Sequence, residues 1–230
     1  MPAFLRPLLL FLIVLGFAPS AMAGDHVIVT GGPALREWED LRIPRDRHDR
    51  FWGNFVRAST LRMVEIRKAY GSNAPLVWII YRPAYQTRAN EEGKPLTTWL
   101  SELASERNAT LRWVSSSADF VNALNSRPRG SIETFDYFGH SNKFCFMLDY
   151  GNSIMAASTA WFHENDISRV NRSIFAKNAY CKSWGCHTGE SMSQAWKRHL
   201  GVPLEGAVGP TDYTAISRGA LPVVNGRWAR

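Results

Sequence analysis

Two apolar runs in this chain each end in a residue able to do proton-transfer or nucleophilic chemistry. The first, Glu133 to Ser141, reads ETFDYFGHS and delivers His140; the second, Ala179 to Met192, reads AYCKSWGCHTGESM and delivers Cys186. An imidazole takes up or gives up a proton near neutral pH, and a thiol is a strong nucleophile once deprotonated. Held together, they are the parts of a nucleophile and base pair. Gly185 and Gly189 flank the cysteine, and glycine permits a tight turn and close approach of a substrate. A helix starting just after Cys186 would bring its positive end to the sulfur and favour the thiolate.

Both side chains sit at the C-terminal end of what reads as a short buried strand. In an open parallel sheet, that edge is where ligands bind. The flanking sequence reads as such a sheet. Asp25 to Thr30 (DHVIVT) is a short strand closed by Gly31-Gly32-Pro33. From about Asp49 to Tyr70, Phe55, Val56, Met63, Ile66 and Tyr70 fall on one arc of a core-facing helix. Pro75 to Tyr81 (PLVWIIY) is a continuous apolar run of the buried-strand type, stopped near Pro83. Residues 84–95 are polar and read as a surface loop.

Thr97 to Arg107 reads as a helix capped by Thr97 or Thr98, Thr110 to Val114 as a strand, and Ser117 to Leu124 as a serine-capped helix. Ile132 to Gly139 is the histidine strand, Phe144 to Tyr150 a hairpin strand, and Glu164 to Val170 a short helix. Ala179 to Gly185 is the cysteine strand, Glu190 to Leu200 the helix after it, and Leu204 to Val208 a final strand. Gly209 to Asp212 is expected as a loop at the same edge as the pair, because Gly-Pro punctuates the strand. This alternation predicts an α/β fold with helices on both faces of a mainly parallel sheet.

The first 23 residues read as a signal peptide: Arg6 as the charged start, Leu8 to Phe17 as the apolar stretch, and Ala21-Met22-Ala23 as the cleavage site. The stretch is short for a span of about 20 residues, and no second long apolar run follows. The expected organisation is a signal peptide over 1–23, an N-terminal strand and helical lead-in over 24–73, and an α/β domain over 74–230. Export to the periplasm or beyond, without stable membrane insertion after cleavage, is the expectation. The chain carries 27 Lys and Arg against 20 Asp and Glu, a net charge of +7. That basicity favours contact with anionic envelope surfaces, but it is spread thinly. Its densest group, Arg45, Arg47 and Arg50, is interrupted by Asp46 and Asp49 and reads as a solvated segment, not a nucleic-acid site.

Three cysteines follow the cleavage site: Cys145, Cys181 and Cys186. An odd number in an oxidising compartment leaves one thiol without an intramolecular partner. Along an extended strand, Cys181 and Cys186 stand roughly 16 Å apart, whereas a disulfide needs about 4.4 to 6.8 Å between Cα atoms. Any bridge is therefore expected between Cys145 and Cys181, with Cys186 free.

With these residues in view, the segment from Pro75 onward resembles the caspase-like cysteine peptidases. In that family a strand, helix, strand, helix lead-in precedes a strand ending in the catalytic His, then one ending in the catalytic Cys. PLVWIIY, TTWLSELASERN, TLRWVSS, SADFVNAL and IETFDYFGH follow that order, and AYCKSWGC with HTGESM supplies the cysteine step. The resemblance implies a caspase-like three-layer fold and thiol-dependent hydrolysis of a peptide or amide bond in a peptide or protein substrate. Cys186 would be the nucleophile, His140 the general base and acid, and no cofactor is implied. The backbone N–H groups of Cys186 and Ser141 would stabilise the oxyanion. The family usually has glycine where this chain has Ser141, and Lys182 is unusual within a buried strand. Ser141, Lys182 and Asp212 are the candidate substrate-binding residues, with Asp149 a further specificity candidate. Asp166 and Asp136 are candidates to orient His140, and neither is assigned.

Three other readings compete. Gly139-His140-Ser141-Asn142-Lys143 begins like the nucleophile elbow of an α/β-hydrolase, with Ser141 as nucleophile and Asp166 and His187 as partners; Lys143 stands where that elbow needs glycine. A zinc site built on Cys186, His187 and Glu190 lacks the paired ligand spacing such sites show, so no metal is expected. A caspase-like domain that binds without catalysing is the non-enzyme alternative, which Ser141 and Lys182 favour.

Overall fold

The computed structural model describes residues 24–44, 47, 49–154 and 157–230; the expected signal peptide, and Arg45 and Asp46 of the arginine-rich segment, lie outside them. In chain order the strands are β1 (Asp25–Thr30), β2 (Leu76–Tyr81), β3 (Ala109–Val114), β4 (Ile132–Phe138), β5 (His140–Ser141), β6 (Cys145–Met147), β7 (Trp161–His163), β8 (Phe175–Ser183), β9 (Leu204–Val208), β10 (Thr211–Asp212), β11 (Val223–Val224) and β12 (Arg227–Ala229). The helices are α1 (Arg36–Leu41), α2 (Asn54–Tyr70), α3 (Arg82–Glu92), α4 (Leu96–Glu106), α5 (Ser117–Asn125) and α6 (Met192–Leu200).

Seven strands form one sheet in the order β12-β9-β8-β4-β1-β2-β3. All its pairs are parallel except β12, which runs antiparallel to β9. The fold is α/β in three layers, as the alternation of elements predicts. Successive strand residues point to opposite faces, and β1 and β2 bury both. Val27, Val29, Val77 and Ile79 join one apolar cluster with Phe120 of α5 and Trp196 of α6. Ile28, Trp78 and Ile80 join another with Met63 and Ile66 of α2 and Leu100 of α4. Strands buried on both sides carry continuous apolar runs, which is why LVWIIY shows no alternation.

After β1 the chain builds β2 and β3 on one side, then returns to place β4 on the other side of β1. Between β1 and β4, adjacent connections therefore leave the sheet in opposite directions. This is the topological switch point, where open α/β sheets form a crevice. His140 lies just beyond the end of β4, and the β1-to-α2 connection, carrying α1, leaves from the same edge.

Residues 84–95 are not the expected surface loop: most belong to α3. Pro83 opens that helix, since a first-turn proline has no N–H to lose. The polar composition misleads because Tyr85 and Arg88, one turn apart, both point inward and are fully buried. Helix α2 begins at Asn54, later than expected, with Phe51 and Trp52 in the turn before it. Helix α4 is preceded by Pro95 and has no side-chain cap from Thr97 or Thr98. On α5, by contrast, Ser116 accepts a hydrogen bond from the Asp119 N–H at 3.0 Å, as a serine cap should. The hairpin expected over Phe144 to Tyr150 is the β5-β6-β7 sheet. No helix among the described residues is long and apolar enough to cross a membrane.

All three cysteines are free thiols: Cys186 is free as expected, and the one pairing favoured for any bridge, Cys145 with Cys181, is not formed. The pleat explains this. Phe146 points into the cluster that contains Cys181, so its neighbour Cys145 points the other way. The Cys145 sulfur lies against Asn142 Oδ1 at 3.5 Å.

Candidate active site

Parallel pairing of β4 with β8 aligns Tyr137 with Ser183, and the Trp184 N–H continues the ladder onto the Tyr137 carbonyl at 2.8 Å. The two strands therefore end side by side, and the turns carrying His140 and Cys186 emerge together. Ser141 ties them: its buried hydroxyl donates to the Cys186 carbonyl at 2.7 Å. A side chain on Gly185 would collide with that hydroxyl, so glycine there is a requirement of close approach.

His140 is fixed from several sides. Its Nε2 lies 2.6 Å from Asp49 Oδ2, and its ring meets Tyr150 and Phe55 edge-on at 4.6 and 5.0 Å. The Tyr137 hydroxyl stands 2.7 Å from the His140 carbonyl beneath. Asp49 is 1 % exposed. Burial pushes its carboxyl up, but the His140 charge and hydrogen bond, the Ala34 N–H at 2.7 Å and the Arg88 guanidinium outweigh this and hold it below the usual carboxylate range. An ionised carboxylate only accepts, so Nε2 carries the donated hydrogen and Nδ1 is left for chemistry.

Asp49 was hidden in the sequence because it sits in a segment that reads as solvated. The structure corrects this: the β1-to-α2 connection folds back over the sheet edge. Buried Arg88 of α3 donates to the carbonyls of Ala34 and Asp49, both at 3.0 Å. Buried Glu39 of α1 accepts from the Asp49 N–H at 2.9 Å and from Arg42 at 2.8 Å. Burial first, then the neighbouring Asp49 charge, raises the Glu39 carboxyl, against the pull of the Asp49 N–H and Arg42. Nothing in the local sequence carries a signal for this network.

The Cys186 sulfur faces the turn after β9. The Thr211 N–H donates to it at 3.3 Å, and Thr211 Oγ1 lies at the same distance. Among the described residues, these are the hydrogen bonds on the sulfur; His140 is bonded to Asp49. Cys186 also does not stand at the start of α6, which begins at Met192 after a turn over residues 187–191. The Cys186 N–H has no acceptor among the described residues, the state an oxyanion donor requires. Ser141 lies in β5 opposite Phe146.

Tyr213 donates to the Trp184 carbonyl at 3.0 Å, and its ring meets Phe55 edge-on at 5.2 Å. Burial, first of all, raises the phenols of Tyr150 and Tyr213, and the Cys186 and Asp49 charges push both further up.

The other candidates have structural partners. Lys182 is buried, donates to Glu205 at 2.6 Å, and lies over the Trp184 and Trp228 rings at 4.2 and 3.9 Å. Asp212 accepts from the Thr214 N–H at 2.7 Å, in the turn that leads into a short 3-10 helix over Thr214–Arg218. Asp149 is buried and accepts from the N–H groups of Thr159 and Ala160. Neither candidate orienter is bonded to His140: Asp136 takes Arg62 and Trp184, both at 2.9 Å, and Asp166 takes the His163 N–H and Arg169. His187 pairs with Glu190 at 2.6 Å, and no group of His, Cys, Asp or Glu among the described residues is placed to hold a metal ion. No protein-family model, curated protein or solved structure matches this chain.

Proposed function

We propose that this chain is an exported thiol-dependent hydrolase that cleaves a peptide or amide bond through Cys186 and His140. The observation that carries the reading is the buried Asp49 bonded to His140 Nε2, one strand away from Cys186. A carboxylate in that position fixes the imidazole tautomer and ring plane and stabilises the imidazolium formed when the base takes a proton. In the reaction, His140 takes the thiol proton and the sulfur adds to the scissile carbonyl carbon. The Cys186 N–H stabilises the oxyanion, and the imidazolium protonates the departing amine as the C–N bond breaks. Water, deprotonated by His140, then releases the acid from the thioester.

A fluorogenic peptide library tests this. Wild-type protein is expected to cleave a subset, and Cys186→Ala and His140→Ala each to lose about 10³-fold or more. One observation favours the second reading, a binding domain: the sulfur is bonded to Thr211 and not to the imidazole. Wild-type protein that cleaves no library member would replace the hydrolase with that reading.

A further inference from the structure

Next to Cys186, two ladders of contacts bind the turn after the cysteine to the turn after β9. His187 adopts a left-handed backbone, with φ of +62°, a conformation uncommon outside glycine. That conformation lets its N–H donate to the Gly209 carbonyl at 2.9 Å while its Nδ1 meets Glu190 Oε1 at 2.6 Å. The same carboxylate oxygen accepts from the Gly209 N–H at 3.1 Å. Both sides of the Gly209 peptide are thus gripped. Gly209 itself has φ of +99°. Two residues further on, Thr211 presents its N–H and hydroxyl to the sulfur. On the far side, β10 is pinned by β11, through Thr211 opposite Val224 and the Asn225 N–H on the Pro210 carbonyl at 2.9 Å.

We infer that the His187–Glu190 pair is a positioning clamp that holds the Thr211 N–H and hydroxyl on the Cys186 sulfur, where they stabilise the thiolate. The inference deepens the hydrolase reading and rests on it for its purpose, but the clamp acts on the thiol itself. Two donors aimed at one sulfur favour its charged form, because a charge-assisted hydrogen bond is about twice as strong as a neutral one. Glu190 and His187 touch no reacting atom. Their part is to set the turn that carries Thr211. The Glu190 carboxyl is drawn below its usual range by its hydrogen bond to His187 and by the Gly209 N–H, which fits an acceptor that remains ionised in the clamp.

The clamp makes a prediction opposite in sign to simple electrostatics. Removing a carboxylate near a thiol relieves like-charge repulsion and should speed its alkylation. Removing a clamp should slow it, because the donors drift. The full chain is alkylated with iodoacetamide, the sulfur displacing iodide, and the Cys186 adduct is followed by mass spectrometry from pH 5 to 10. Glu190→Ala is expected to slow alkylation at pH 7 by about tenfold, the effect of about one unit of thiol acidity, and to move the profile to higher pH. Glu190→Gln, which keeps an oxygen for Gly209 and His187, is expected to restore most of the rate. Thr211→Val keeps the N–H and loses the hydroxyl, and an intermediate slowing of about threefold is expected by the same scale. An unchanged or faster rate in Glu190→Ala, with near-UV circular dichroism intact, overturns the clamp. If Glu190→Ala unfolds, the Thr211→Val profile decides alone: no movement overturns it. These readouts need no substrate, so slowed alkylation in a protein that cleaves nothing would sink the hydrolase and leave the clamp standing.

Discussion

Two carboxylates in this molecule are equally buried and behave in opposite ways. Asp136 lies mid-strand on β4, facing α2, and Asp49 lies in the connection that crosses the sheet edge. Burial dominates at Asp136 and raises its carboxyl despite Arg62, Trp184 and Lys182. At Asp49 the His140 charge and hydrogen bond, the Ala34 N–H and Arg88 overcome the same penalty. The Asp136–Arg62 pair, like the neighbouring Thr30–Ser59 bond at 2.6 Å, joins α2 to the sheet. Asp49 joins no packing layers in that way and instead holds an imidazole at the edge of the sheet. Burial marks neither carboxylate as structural or functional. The partners differ: a permanently charged guanidinium at one, and an imidazole at the other.

Substitution can break this comparison, and the largest effect is expected at Asp49. Asp49→Asn should keep the Ala34 contact yet cut peptide hydrolysis by about 10² to 10⁴-fold, since a neutral amide no longer stabilises the imidazolium. A variant within a factor of three of wild type would remove Asp49 from the site. Asp136→Asn should do the reverse, leaving turnover nearly unchanged and lowering stability by about 1 to 3 kcal/mol in urea, because Arg62 loses its buried partner and keeps only the exposed Glu65 at 3.0 Å. Loss of turnover in a stably folded Asp136→Asn protein would erase the distinction.

A subtler contrast lies in pH. Asp49 has a folded pKa below its unfolded value of about 3.9, so its stabilisation is present above that value and fades as pH falls through the lower folded pKa. Asp136 has a raised folded pKa, so its favourable contribution is full below about 3.9 and fades as pH rises through the folded value. Urea titrations from pH 2 to 6 should therefore show the wild-type advantage over Asp49→Asn shrinking on acidification, and that over Asp136→Asn growing. Matching slopes would mean the two carboxylates share one environment. The smallest effect belongs to Asp212→Ala, which loses the Thr214 hydrogen bond at about 1 kcal/mol and should leave hydrolysis unaltered; a fall in kcat/KM without loss of Tm would return Asp212 to substrate binding.

Much of the scaffold was legible because its signals are local. PLVWIIY can only be a strand buried on both faces, and SSSADFVNAL announces its own capped helix. His140 and Cys186 stood out for the same reason, each ending an apolar run beside glycine. Residues 84–95 misled because buried Arg88 is indistinguishable, in sequence, from an exposed arginine; its partners are carbonyls brought from Ala34 and Asp49. Lys182 looked out of place in its strand until Glu205 and two indoles accounted for it.

The sequence by itself determined the order of the main sheet strands and of the helices other than α1 and α3, the parallel sense of the sheet's first strands, and the placing of His140 and Cys186 at strand ends. Those follow from apolar periodicity and from glycine, proline and serine punctuation, which act within a few residues. The tertiary structure alone decided which carboxylate faces His140, which donor faces Cys186, and that Cys145 and Cys181 do not meet. Asp49 and His140 are far apart in the chain, as are Cys186 and Thr211, and hydrogen-bond pairing over such separations leaves no local pattern. It is set only when the switch point between β1 and β4 gathers the connections at one edge of the sheet.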